Sequence, residues 1–174
     1  MGRMAINIDD MQVYIANLGK YNEGELVGAW FSFPIDSEEV AERIGLNDEY
    51  EEFAIHDYEL PFPIDEYESI DRLNNIYEQL QEIEGEALYD VLDEILGYWF
   101  KDIEELLENK DDIICYPDCG SMEEVAEYYA DDTGLLESLP ENLRYYFDYA
   151  ALGRDMELGG NFLVTSHGVF EYVV

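Results

Sequence analysis

Apolar and polar residues change their rhythm several times along the chain. Gln12–Leu18 (QVYIANL) and Leu26–Phe33 (LVGAWFSF) are rich in β-branched and aromatic residues. The Gly- and Asn-bearing stretch GKYNEGE lies between them, which predicts two strands joined as a hairpin. Asp36 or Ser37 is placed to start a short helix through Ile44, with Glu39 at the spacing of a capping box on Asp36. A further strand is expected around Glu52–Tyr58, and Pro61 and Pro63 close this β-rich part.

From Ile70 the period becomes helical: Ile70, Leu73, Tyr77 and Leu80 recur on one side, with Asp71, Glu78 and Glu82 on the other. Leu88, Val91, Leu92, Ile95 and Trp99 predict a second helix whose outward face carries Glu86, Asp90, Asp93 and Glu94. A third, short helix places Ile103, Leu106 and Leu107 inside and Glu104, Glu105 and Glu108 outside. Ile113–Tyr116 is a brief apolar run stopped by Pro117. Ser121 and Glu124 then form a capping-box pair opening a helix, with Met122, Val125, Ala126 and Tyr129 inward and Glu123, Glu127 and Asp131 outward. More helix follows, then a hairpin of Phe162–Ser166 and Val169–Val173 turned at His167-Gly168. The expected fold class is α+β, built as a chain of small subdomains. These are a flexible N-terminus (1–10), a β-rich N-terminal α+β subdomain (11–61), an acidic helical subdomain (62–112) and a mixed C-terminal α+β subdomain (113–174). No internal repeat or low-complexity tract interrupts them.

Charge changes this picture most. Of 174 residues, 43 are Asp or Glu and only 8 are Lys or Arg, a formal net charge of −35. Cut at residues 61 and 112, the chain carries −11, −14 and −10, so the charge is spread over folding segments rather than gathered in a tail. With 48% hydrophobic and 14% aromatic residues the chain has the material for cores, unlike a disordered acidic segment. Solubility of a small domain asks for a net charge of roughly 2–8. Pairs at i,i+4 such as Glu78/Glu82, Glu86/Asp90, Asp90/Glu94, Glu123/Glu127 and Glu127/Asp131 each oppose their helix by about 0.2–0.5 kcal/mol. Such a charge repels nucleic acid and anionic lipid, so direct nucleic-acid or membrane binding is not expected. Basic surfaces are the natural partners. Since B-DNA carries one phosphate per about 1.7 Å of axis, 35 net charges match roughly 17 base pairs, or about 60 Å of duplex.

Other chemistry is sparsely marked. Cys115 and Cys119 are too few for a disulfide framework, and no signal-like segment is recognised, so a reducing cytoplasm is expected. Cys115-x3-Cys119 lacks a nearby His or third Cys, and a turn at Pro117-Asp118 is the simpler reading than zinc. His56 reads as a packed or edge residue of a strand. No nucleotide-binding, hydride-transfer, zinc-protease, hydrolase or calcium motif occurs, so no enzyme and no cofactor is expected. Tyr145, Tyr146, Phe147 and Tyr149, near Arg144 and Arg154, either pack between the last helix and the hairpin or form a self-association surface.

Three stretches carry a family resemblance: VYIANLGKYNEGELVGAWFSFP (Val13–Pro34), EEFAIHDYE (Glu51–Glu59) and YYFDYAALGRDMELGGNF (Tyr145–Phe162). In order and spacing they resemble the ArdA antirestriction proteins of conjugative plasmids and transposons. The resemblance implies an elongated α+β protein, usually a homodimer, that looks like bent duplex DNA to type I restriction-modification enzymes. Such a protein blocks their methyltransferase and specificity core without a catalytic step, protecting incoming mobile DNA. Residues 64–112 bear no such signature, so only their acidic helical character carries over. The expected mimicking carboxylates are Asp71, Glu78, Glu82, Glu86, Asp90, Asp93, Glu94, Glu104, Glu105, Glu108, Glu123, Glu127 and Asp131; the expected dimer contacts are Tyr145, Tyr146, Phe147 and Tyr149. The competing readings are an acidic module that sequesters other basic DNA-binding proteins and a cation-dependent hydrolase.

Overall fold

The computed structural model describes residues 6–173, which fall into two compact units, 6–93 and 94–173. The first unit opens with a 3-10 turn at Ile8–Asp10 and continues through β1 (Gln12–Asn17), α1 (Leu18–Asn22), β2 (Gly28–Ser32), α2 (Ser37–Ile44), β3 (Phe53–Glu59), α3 (Ile70–Glu82) and α4 (Ala87–Asp90). Helix α5 (Leu92–Ile95) spans the division. The second unit holds α6 (Ile103–Glu108), β4 (Ile113–Tyr116), α7 (Met122–Thr133), α8 (Glu141–Arg144), α9 (Tyr149–Gly159), β5 (Phe162–Thr165) and β6 (Gly168–Tyr172). The fold is α+β. Residues 1–5 of the expected flexible stretch lie outside the described residues; in its remainder, Ile8 is buried and Ile6 accepts a hydrogen bond from Tyr89 Oη at 2.5 Å.

The first sheet has the order β2-β1-β3, all antiparallel. Val13 and Ile15 of the central strand are fully buried, while Gln12 and Tyr14 face the other way and stay half-exposed, the period-2 pattern of a one-sided core. Between β1 and β2 the expected plain loop folds into α1. The buried Asn17 explains this: its Oδ1 accepts from Lys20 N at 3.1 Å, capping α1, while Nδ2 donates to the carbonyls of Ile44 and Gly45 at 3.0 and 3.2 Å. One amide thus ties the start of α1 to the end of α2. Helix α2 begins at Asp36, whose carboxylate accepts from Glu38 N and Glu39 N. The reciprocal half of the expected capping box is not made, because Glu39 turns to Arg43 at 3.2 Å.

Helix α3 follows the expected period and buries Ile70, Leu73, Ile76, Tyr77 and Leu80, with Ser69 as its cap. The long helix expected from Leu88 to Trp99 is not formed. It breaks into α4 and α5, flanked by Gly85 and Gly97 at positive φ, and Trp99 leaves the stripe to pack its ring against Tyr172 at 5.8 Å. The break falls at Val91, whose backbone leaves helical geometry at φ −119° and ψ 17°, while Leu88, Tyr89, Val91, Leu92 and Ile95 all remain inside.

In the second unit the hairpin β5–β6 forms as expected, but its two-residue turn is Ser166-His167, with Gly168 (φ 112°) already paired to Thr165. β4 adds to the free edge of β6, giving the order β4-β6-β5 and burying Val169 and Phe170 at the centre. Helix α7 packs on α9 at Gly153, where a Cβ would meet the Met122 carbonyl oxygen at 2.6 Å. An approach that close has room for Ala126 and Ala130 and not for a ring, and Tyr129, expected inward, is exposed.

Candidate functional site

The candidate site is a surface rather than a cleft. Among the described residues Asn17 is the only buried polar or charged side chain, so every described carboxylate reaches water. With 43 acids against 8 bases, one-to-one pairing leaves at least 35 carboxylates without a basic partner. Arg43 pairs with Glu39, and Arg72 with Glu68. Arg144 spends its guanidinium on the backbone carbonyls of Leu139 and Glu137. Cut at the division between the units, the sequence holds 24 acids against 4 bases before it and 19 against 4 after it.

Helical geometry sets the spacing. On α3, Asp71, Asn75, Glu78 and Glu82 are exposed opposite the buried stripe, a line roughly 16 Å long at 1.5 Å per residue. On α7, Glu123, Glu127 and Asp131 stand at successive i,i+4 positions, about 6 Å apart along the axis. The like-charge pairs Glu78/Glu82, Glu123/Glu127 and Glu127/Asp131 therefore sit on continuous helices. Glu86/Asp90 and Asp90/Glu94 do not: Glu86 is an extended residue preceding α4, and the chain breaks helical register at Val91.

The expected mimicking residues separate into two kinds. Asp71, Glu78, Glu82, Glu86, Asp93, Glu108, Glu123, Glu127 and Asp131 are exposed, whereas Asp90, Glu94, Glu104 and Glu105 are half-buried. Two of the latter hold the fold together. Glu94 accepts from Ser166 Oγ and N at 2.7 and 3.2 Å, clasping the β5–β6 turn. Glu105 accepts from Lys101 N at 2.9 Å while Asp102 accepts from Glu105 N at 2.9 Å, a reciprocal cap over α6 in which the glutamate reaches the residue before Asp102. Ser121 and Glu124 repeat the device on α7, with Glu124 reaching Gly120 N at 3.0 Å. The acids of the first sheet region, among them Glu51, Glu52, Asp57, Glu59, Asp65 and Glu66, are equally exposed and were not singled out by helical periodicity. Their signal is strand alternation in β3 and the irregular segments on either side of it, which a search for i,i+4 pairs passes over.

Neighbouring groups register the negative field. The Tyr50 phenol is raised above its ordinary value, chiefly by its hydrogen bond to Glu23, and Tyr67 is raised chiefly by the charge of Glu66. Tyr89 is pushed up to about 12 by burial, then by Glu84 and Asp90. Burial raises both thiols, Cys115 and Cys119, which stay protonated at neutral pH. Among the described residues no three His, Cys, Asp or Glu side chains converge to hold a metal ion. His56 is exposed at a bulge in β3, its ring against Tyr21 at 4.8 Å. No described helix is long and apolar enough to cross a membrane.

The aromatic group near the last helix does not pack as a core. Tyr145 is 94% exposed and Tyr146 83%, while Phe147 and Tyr149 stack edge to face at 5.1 Å.

An α+β scaffold that turns its carboxylates to solvent describes a class of acidic protein suited to basic partner surfaces. The particular family is shown by comparison: the model of the antirestriction protein family ArdA matches residues 13–171, and the chain belongs to that family. It is an antirestriction family, inhibitory rather than catalytic, and its members interact with restriction enzymes. No curated protein matches the chain.

Proposed function

We propose that this protein is a DNA mimic that occupies the DNA-binding groove of type I restriction-modification enzymes, contacting their methyltransferase and specificity core. The observation that carries this reading is the exposure of the carboxylates on a folded scaffold in which no described Asp, Glu, Lys or Arg is buried. A DNA groove gathers phosphates with Lys and Arg, and fixed carboxylates recover much of that electrostatic attraction while presenting no base edges. Carboxylates held on helices lose less freedom on binding than those of a disordered tail. Tyr145, Tyr146, Phe147 and Tyr149 are proposed as contacts to a second copy, since two nearly bare rings beside Leu143 form an apolar patch in a strongly anionic surface. The subdomains proposed at 11–61, 62–112 and 113–174, an action in the cytoplasm and carriage on a mobile element belong to the same reading.

Competition binding tests it. A labelled duplex carrying the target sequence of a purified type I methyltransferase is released as protein is added at low salt. Combined Gln substitutions at Glu78, Glu82, Glu123 and Glu127 weaken that release step by step. A duplex that stays bound under excess protein overturns the proposal, and recovery of nucleoid proteins without restriction subunits from a host that makes both favours sequestration of other basic proteins.

A further inference from the structure

The first unit contains a cavity of about 400 Å³ lined by Leu18, Glu51, Glu52, Phe53 and Tyr67. It lies at the start of β3, a strand that also carries a bulge. Between the pairs Tyr14↔Asp57 and Ile15↔Ile55 the strand carries one extra residue, His56. Ile55 N donates outward to Glu66 O at 2.7 Å, which moors the 65–67 segment along β3 and brings Tyr67 to the cavity. On the other side Leu18 N donates to Glu52 O at 3.0 Å, fixing the start of α1 beside the two glutamates. Backbone bonds therefore hold the walls from two directions.

The lining residues are two aromatics, one leucine and two glutamates, with no Lys or Arg among them. The nearby bases are engaged elsewhere: Lys20 lies over the Tyr50 ring at 5.6 Å, and Arg72 pairs with Glu68. Aromatic faces with adjacent carboxylates suit a planar cation, because a guanidinium stacks flat on a ring while its N–H fork meets carboxylate oxygens. A compact, strongly hydrated ammonium uses the same walls less fully. The raised phenol of Tyr67, driven by Glu66 and then by burial, agrees with a negative field at the rim.

We propose that this cavity is a socket for one arginine side chain of the protein partner, giving the first unit a directional anchor in addition to diffuse charge. The inference rests on the proposed basic partner surface and names a specific contact within it.

The test is a titration of the full-length protein with N-acetyl-arginine methylamide in 150 mM salt, following the ring resonances of Phe53 and Tyr67 by NMR, with the lysine counterpart in parallel. The arginine compound produces saturable shifts at both rings and binds more tightly than the lysine compound. Tyr67→Ala, at a ring 65% exposed, leaves the melting temperature unchanged and weakens binding about 5- to 30-fold as read at Phe53. Glu52→Gln weakens it as well. Shifts spread over the acidic surface without saturation, equal binding of the lysine compound, or an unaffected Tyr67→Ala variant each overturn the socket. No enzyme enters this titration, so failure to displace duplex sinks the mimic while leaving the socket result standing, and the reverse also holds.

Discussion

The two units carry similar excesses of negative charge, and each seats an acidic helix, α3 or α7, in a different way. In the first, α3 buries Ile70, Leu73, Ile76, Tyr77 and Leu80, and β1 adds Val13 and Ile15. In the second, α7 buries Met122, Val125, Ala126 and Ala130, and its contact with α9 depends on backbone approaching backbone at Gly153. Between residues 135 and 158 the second unit also leaves Leu135, Leu139, Leu143, Tyr145, Tyr146 and Leu158 exposed. Bulk seats α3 and proximity seats α7, although the second unit also buries large side chains such as Leu106 and Phe170 elsewhere. Self-repulsion therefore does not dictate one kind of core; it requires only that acids stay outside.

That contrast can be broken experimentally. The largest effect is expected from Leu73→Ala, which removes a fully buried side chain from α3 and costs about 2–5 kcal/mol by denaturant unfolding. Gly153→Ala comes next. Its Cβ meets carbonyl oxygen rather than a movable side chain, so the helices must separate, at a cost of about 1–3 kcal/mol. An equal or larger loss from trimming Val125 to Ala would show that bulk governs both units. Glu94→Ala frees the β5–β6 turn at Ser166 and costs about 1 kcal/mol, whereas the exposed Glu123→Ala is neutral or slightly stabilising because it relieves a like-charge pair.

A pH dependence tests the first unit on its own. Tyr89 is held protonated to about 12 in the folded state, while an unfolded tyrosine ionises near 10. Its contribution is complete below pH 10 and is lost as pH rises toward 12, because the unfolded chain releases the proton first. Unfolding midpoints at pH 9, 10 and 11 decline accordingly, and Tyr89→Phe shallows that decline.

Local signals made much of this fold legible. Asp36 and Ser121 cap the helices they were expected to start, α3 follows its apolar period, and the strands of both hairpins fall within two residues of their expected bounds. What escaped was non-local. β4 finds its partner in β6, more than fifty residues away, and no pattern within Ile113–Tyr116 announces that pairing. The break at Val91 leaves no mark in the apolar pattern, which reads as a single stripe through Leu88, Val91, Leu92 and Ile95. The candidate surface was legible as helix-borne carboxylates on α3 and α7. The clasping roles of Glu94 and Glu105 were not, since a glutamate that accepts a backbone N–H has the same spacing as one that faces water.

The absence of buried charged side chains among the described residues has a practical corollary for protein engineers. Because no described Asp, Glu, Lys or Arg is buried, most surface carboxylates can be swapped or moved one at a time with little repacking underneath. Libraries that vary those positions while sparing the few that grip backbone amides would let one framework be retuned against different enzyme grooves.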